Sequence, residues 1–382
     1  MSDLPIFDPG FSTPEMTALF SAASRVEAMA RFEAGLAQAL AEVGIAAAEE
    51  ARAVVEACQT PVTDPAALLA STWERGTPII GLVDEIGGRI EGPAVRWLHF
   101  GTTTQDVVDT AHMLLGRRAM ELFEAALIGL ARTMRDLMEG QRHQLQMGRT
   151  FLQHARPTNF GLRAASWLEA TLEHVVAVRA AYGLFAVQLG GPVGTLSEYG
   201  DRGPQVRDTL ARVLGLETTR VAWHADRSRV WAVVQAVERS VRTMAKIAGD
   251  VSLLAGSDVG EISVRAGGSS TMSDKENPLD AIRALAAAQV CSGAASMITD
   301  SGPHELDRAL GSWHTEWVAF PLVFQSGSAV LEAMERCLGS LVVHGEAMDD
   351  RVPPGSAAGV IESAGGQIDR VSAYFNQVVG DG

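Results

Sequence analysis

The chain has 382 residues, of which 47% are hydrophobic and 20% charged, and it carries a formal net charge of −15 at pH 7. That length exceeds one compact core unless helices stack lengthwise or chains assemble, and the composition fits a soluble globular protein. The acidic balance excludes nucleic acid as a partner, because phosphate binding needs a basic face; an anionic small substrate would need a locally basic pocket.

Aromatic residues make up only 6%, and alanine and leucine dominate, which suits helix better than sheet. An all-α protein is expected. The opening run MSDLPIFD has no basic n-region and no apolar h-region, so no signal peptide is expected. No uninterrupted apolar run reaches the roughly 18 residues of a membrane span, so no membrane partner is expected either. Cys58, Cys291 and Cys337 are odd in number, widely spaced and outside any metal-ligand pattern. Reduced, buried thiols in a cytoplasmic protein are the expectation.

Proline placement divides the chain. The segments 94–156, 158–191, 205–277 and 279–302 contain none, whereas prolines cluster at 5–14, 61–78, 192–204 and 353–354. Residues 1–98 then read as shorter helices with proline breaks, and 99–345 as a bundle of long helices. Residues 346–382 open with RVPPG and hold one clear helix near 358–379.

At 99–110 the run HFGTTTQDVVDT brings three threonines and a glutamine to the start of a long helix over 106–140. A helix N-terminus favours anions; the same residues also read as a plain Thr/Asp cap. The run GRTFLQHARP at 148–157 leads into a second long helix over 159–188, and GGPVGT at 190–195 reads as a turn. At 223–229, WHADRSR offers arginines suited to carboxylates, or a charged helix start capped by Asp226. The helix that follows, 228–257, has the clearest pattern. Val230, Val234, Val237, Val241, Met244, Ala248 and Val251 alternate steps of four and three, a seam for near-parallel packing in a bundle. Arg239, Arg242 and Lys246 lie off that seam.

Residues 267–278 read GGSSTMSDKENP, a composition neither helix nor strand favours. Gly267 and Gly268 permit unusual backbone angles, and Pro278 stops or starts a helix. Such a loop could close over an anionic substrate, its backbone N–H groups and Lys275 binding negative charge and a serine handling a proton. GSS alone reads as a solvated linker between two helices. Further on, HELDRALGSWHTEW at 304–317 places Trp313 and Trp317 on one helical face, which points to core packing.

These blocks, running in the family's order from His99 to Trp317, resemble the fumarase/aspartase superfamily. The loop resembles its GSSxMPxKxNP motif, residues 99–110 its HxGxTSxDVxDT segment, 148–157 its GRTHxQxAxP block, 223–229 its WHxxRDR stretch, and 190–195 its GGxxGT turn. The resemblance implies a long-helix bundle that joins four copies, each site drawing its blocks from three chains. It implies that His99, Thr103, Thr104, Gln105 and Asp106 line the site. It assigns Ser269 to proton transfer and gives Ser270, Lys275 and Asn277 to substrate carboxylates and developing charge. Thr150, Gln153 and Arg308 orient the substrate, Arg227 or Arg229 reaches it, and His154 is a hydrogen-bonding candidate. No metal or organic cofactor is implied.

One departure from the superfamily pattern carries chemical meaning. Most of its C–O and C–N lyases place a histidine after the threonine of the second block, where it serves the leaving group. Here that position is Phe151. An amine or hydroxide leaves more readily when protonated, whereas a carboxylate, with a pKa of about 4, needs no dedicated acid. Bacterial 3-carboxy-cis,cis-muconate cycloisomerases share the aromatic residue followed by Leu-Gln-His-Ala, and 304–317 resembles their ERxxGxWxxEW pattern with Asp307 in place of Glu. The resemblance therefore implies conversion of 3-carboxy-cis,cis-muconate to 4-carboxymuconolactone, a step of aromatic catabolism in the β-ketoadipate pathway. A C–N lyase of the adenylosuccinate or argininosuccinate type, or a non-catalytic paralogue with Phe151 filling a dead pocket, are the alternatives. Ser273 replaces the motif proline, Glu276 replaces a basic residue of many members, and the part after residue 345 is shorter than in relatives.

Overall fold

A computed structural model describes residues 10–62, 65–268, 271–272, 275–302 and 304–380. Five helices come first: α1 (Pro14–Leu19), α2 (Ala22–Glu42), α3 (Ala48–Gln59), α4 (Pro65–Arg75) and α5 (Pro78–Gly87). Prolines open α1 and α5 at the first-turn positions where a missing N–H costs nothing, and Thr13 and Thr77 accept hydrogen bonds as their N-caps. The long elements follow: α6 (Thr104–Gly140), a hairpin of β1 (Leu145–Thr150) and β2 (Gln153–Asn159), α7 (Phe160–Ala181), α8 (Gly203–Leu214) and α9 (Ser228–Leu254). After β3 (Ile262–Ser263) come α10 (Leu279–Thr299), α11 (Ser312–Gly339), β4 (Val342–Val343), α12 (Gly345–Asp349) and α13 (Ala357–Val379).

The fold is the all-α bundle expected from the sequence. Helices α6, α7, α9, α10 and α11 pack against one another, α2 lies across α6 and α8, and α13 covers α7. One hydrophobic cluster runs through the molecule from Met16 to Val378. Every residue of the α9 seam is buried, but so are Val233, Ile247 and Leu254. The apolar stripe is therefore wider than a two-position seam, as suits a helix touching several neighbours.

The sequence reading missed the β1–β2 hairpin, and it ran the helix begun near 159 too far. That helix ends at Ala181, a 3-10 turn follows at Tyr182–Leu184, and the chain then runs extended into the 190–195 turn. By length and composition α10 and α11 could cross a membrane. They do not stand free here: α11 is largely buried in the bundle, and α10 packs along both α9 and α11. Pro321 lies inside α11. It has no N–H for the carbonyl of Trp317 one turn back, and Arg25 of α2 donates to that oxygen instead at 3.1 Å.

The length of α6 decides where the site residues lie. Its 37 residues span about 55 Å at 1.5 Å per residue, with residues 99–104 at one end and the hairpin at the other.

Candidate active site

At the N-terminal end of α6 the backbone is held by a closed polar network. Asp106 is fully buried. Its carboxylate accepts from the Thr103 N–H at 3.1 Å, the Thr102 hydroxyl at 3.1 Å, and the Gly190 and Gly191 amides at 3.0 and 2.9 Å. His224 Nε2 lies 2.7 Å from the same carboxylate. The close approach of the 190–195 turn requires glycine. A Cβ on Gly190 would lie 2.5 Å from Ala222 Cβ, and one on Gly191, at φ +70°, would lie 2.9 Å from the Gly101 carbonyl oxygen. Asp106 thus fixes the loop that presents its neighbours rather than facing an open site.

Those neighbours are His99, Thr103, Thr104 and Arg308. His99 sits in the left-handed region at φ 56°. Its backbone N–H and ring Nδ1 both meet the buried carboxylate of Glu33, at 3.0 and 2.7 Å. Burial opposes charge on this imidazole, but the Glu33 hydrogen bond and the Glu33 and Asp106 charges outweigh it and hold the pKa above the usual histidine value. The Glu33 bond fixes the ring through Nδ1. Arg308 donates to Thr103 Oγ1 at 2.9 Å and to the Pro192 carbonyl at 3.0 Å. His99, Thr103, Arg308 and the glycine turn therefore lie at the same end of α6.

Gln105 and Arg227 have other roles. Both are buried. Gln105 donates to Asp109 at 3.2 Å and to the His224 carbonyl at 2.9 Å. Arg227 makes two hydrogen bonds to Asp109, at 2.8 and 3.0 Å, and a second pair to Glu316. Trp313 Nε1 donates to Asp109 at 2.9 Å. Burial opposes the Asp109 charge, yet Arg227 and Trp313 hold its pKa low, while burial raises that of Glu316. With four of its five N–H donors committed to two carboxylates, the buried Arg227 ties α9, α6 and α11 together. Arg229 donates to the Leu184 carbonyl at 2.8 Å. Within the chain, Gln105 and Arg227 thus serve internal polar networks, while Arg229 lies at the end of the 218–229 segment.

At the far end of α6, Thr150 pairs with Gln153 across a two-residue turn. The turn residues are Phe151 and Leu152, at φ 50° and 62°. Left-handed conformation at both positions matches a tight hairpin turn normally filled by glycine or asparagine. Phe151 is 98% exposed, and Thr150, Gln153 and His154 are exposed beside it. The base of the hairpin is rigid. Buried Glu261 accepts from Arg149 at 2.6 and 3.0 Å and from Gln146 at 2.7 Å. These partners keep its carboxyl low against the effect of burial.

Glu261 leads into β3 and the 267–277 loop at this same end. Gly267 and Asn277 bridge the loop stem, with the Gly267 N–H donating to the Asn277 carbonyl at 2.9 Å. Arg265 and Asp280 clamp it with hydrogen bonds of 2.9 to 3.1 Å. Lys275 is exposed. It is one of only two lysines, with Lys246, among 31 basic residues. Ser269, Ser270 and Ser273 lie outside the described residues.

The candidate residues thus fall into two groups at opposite ends of a helix about 55 Å long. No bending of one chain brings His99, Thr103 and Arg308 to Thr150, His154 and Lys275. The sequence reading missed Glu33 and Glu261. Glu33 had a signal, since it occupies a core-facing position in the stripe of Met29, Phe32, Leu36 and Leu40 on α2. Cys58, Cys291 and Cys337 are free and buried, and burial pushes each thiol up to about 12. Among the described residues, no group of three or more His, Cys, Asp or Glu side chains could hold a metal.

A family model described as lyase matches residues 10–292. The 3-carboxy-cis,cis-muconate cycloisomerase of Pseudomonas aeruginosa is 34% identical over 352 residues, covering 89% of this chain and 76% of the relative. Trans-aconitate decarboxylase 1 of Mycosarcoma maydis is 31% identical, covering 88% of this chain and 70% of the relative. The crystal structure of the 3-carboxy-cis,cis-muconate lactonizing enzyme from Pseudomonas putida superposes with a TM-score of 0.86 at 30% identity, covering 97% of this chain and 86% of that one.

Proposed function

The chain belongs to the lyase family, with the fold of the fumarase/aspartase superfamily, and on that premise we propose that it is a 3-carboxy-cis,cis-muconate cycloisomerase. The observation that carries this reading is Phe151. An aromatic side chain stands at the hairpin turn where a leaving-group histidine would serve C–N or C–O cleavage. Cyclisation of the muconate needs no such acid, because nothing leaves.

A substrate carboxylate oxygen adds to one carbon of a C=C bond. The C–O bond forms as the π bond breaks, and the electron pair moves to the adjacent carboxyl-bearing carbon as an enolate-like carboxylate. That carbon then takes a proton from Ser269. Ser269 then regains its proton from solvent, so the ionised substrate takes up one proton per turnover and no other co-reactant is consumed. A serine hydroxyl is a weak acid, and the alkoxide it leaves needs positive charge and N–H donors, the part given to Lys275 and the loop backbone. Asn277, Ser270, Thr150 and Gln153 hold the remaining carboxylates, with His154 at the rim. The other wall consists of His99, fixed by Glu33, together with Thr103, Thr104 and Arg308.

The working enzyme is a homotetramer with each site drawn from three chains. Three observations favour this reading. The two groups of site residues lie at opposite ends of α6, the hairpin turn exposes Phe151 and Leu152, and the bundle helices carry exposed Val176, Leu253, Ile282, Met297 and Val318. Neighbouring bundles would cover such faces. Three free thiols suit a reducing compartment, the cytoplasm.

The test is ultraviolet absorbance of 3-carboxy-cis,cis-muconate mixed with purified enzyme and no cofactor. Loss of the conjugated diene faster than in buffer is expected, and Ser269→Ala should abolish it. Absence of decay from a verified tetramer would sink this reading, and fumarate release from adenylosuccinate or argininosuccinate would put a C–N lyase in its place.

A further inference from the structure

Among the described residues two arginines are buried, and they are treated in opposite ways. Arg227 is neutralised by two carboxylates. Arg207, on α8, is only 4% exposed and has none within ion-pair distance. One of its terminal nitrogens donates to the Arg220 carbonyl at 2.8 Å, while Nε has no hydrogen-bond partner. A guanidinium stays charged near neutral pH, and a buried charge without a counter-charge is strongly unfavourable.

The side chain lines a cleft of about 720 Å³ between α8 and the 218–229 segment. Arg220 and Arg229 line it too, and neither forms an ion pair with a described carboxylate. The two aspartates of the wall keep their charge, Asp208 acting on Arg207 and Asp226 on Arg229 from beyond ion-pair distance, which leaves three arginines against two carboxylates. Asp208 accepts from the Thr218 hydroxyl, and Asp226 accepts from the Ser228 N–H at 3.0 Å. The cleft holds none of the polar residues assigned to the reaction. It does share a wall with them, because Trp223 borders it and the next residue, His224, holds Asp106.

The geometry points to a second anion site, in which Arg207, assisted by Arg220 and Arg229, binds a small molecule through carboxylate or phosphate oxygens. The volume suits a compact polyanion, and the planar fork of Arg207 suits paired oxygens.

Isothermal titration of the full-length protein with inorganic phosphate, and separately with citrate, tests this. Saturable binding of at least one probe is expected, and the preferred probe tells a phosphoryl ligand from a polycarboxylate. Arg207→Gln should weaken binding about tenfold or more, the loss of a charge-assisted pair. Because a buried substitution can unfold the chain, exposed Arg220→Gln provides the second variant and should weaken binding severalfold. Lys275→Ala, which removes the lysine of the catalytic loop, should leave binding unchanged. The inference is overturned if neither probe binds, if both arginine variants bind like the parent, or if Lys275→Ala alone abolishes binding.

Discussion

The two ends of α6 solve the problem of presenting polar side chains in contrasting ways. At the N-terminal end, Asp106 and Glu33 are buried and hydrogen-bonded, and His99, Thr103 and Arg308 are held by partners within the same chain. At the other end, the hairpin and loop are anchored at their bases by Glu261 and the Arg265–Asp280 pair. Their tips carry Phe151, Leu152 and Lys275 into solvent. One half of the proposed site is complete within a chain, and the other half is a set of exposed tips. Substitutions at the first end should therefore register chiefly as stability, and those at the second chiefly as assembly and turnover.

The largest expected effect lies beneath the closed end. Arg227→Met leaves Asp109 and Glu316 buried without their counter-charge, and should destabilise the fold by about 3–5 kcal/mol. Chemical denaturation measures this, and an unchanged midpoint would mean that the pair is not buried in solution. Next comes Lys275→Ala at the open end. Loss of the charge proposed to stabilise the transition state should lower kcat by about 10²–10³-fold. Since the side chain is exposed, stability should change by less than about 0.5 kcal/mol. A large fall in melting temperature would erase the contrast between the ends.

Much of this division was legible in the sequence, for identifiable reasons. The proline-free stretches and the valine steps located α6, α9 and α13, because long helices repeat one signal many times. The loop and the α6 start were legible because their composition suits no regular element. The hairpin was not: GRTFLQHARP has no Asn-Gly or Asp-Gly turn, and its strands lack β-branched alternation. Its turn instead places Phe151 and Leu152 in a conformation that local preference disfavours. The internal partners of Arg227 and Gln105 were not legible, because residue type shows what a side chain can bind, whereas packing decides which partners it meets. Helical spacing gave a warning. Gln105, Asp109, His112 and Gly116 lie on one face of α6, which is buried, and polar residues on a core face pair with one another.

The strain at the hairpin turn gives a smaller effect with opposed signs. Phe151→Gly removes a left-handed phenylalanine and should stabilise the isolated hairpin by about 1 kcal/mol. The same change deletes the exposed ring, so the proposed tetramer should dissociate at higher protein concentration and turnover should fall. Sedimentation together with the absorbance assay would separate the two. If assembly and activity both survived, Phe151 would be neither an interface nor a site residue.

The smallest effect is a pH dependence at the closed end. The folded pKa of His99 lies above its unfolded value of about 6.5. The charged imidazole paired with Glu33 therefore adds stability that is fully present below the unfolded pKa and is lost as pH rises through the folded one. Relative to the parent, His99→Gln should cost most in melting temperature near pH 6, and the difference should narrow toward pH 9. The hydrogen bond from the His99 backbone to Glu33 remains in the variant, so only the charge-dependent part should titrate. A difference that stayed constant across that range would mean that His99 is held as a neutral donor, and the closed end would then owe its rigidity to hydrogen-bond geometry alone.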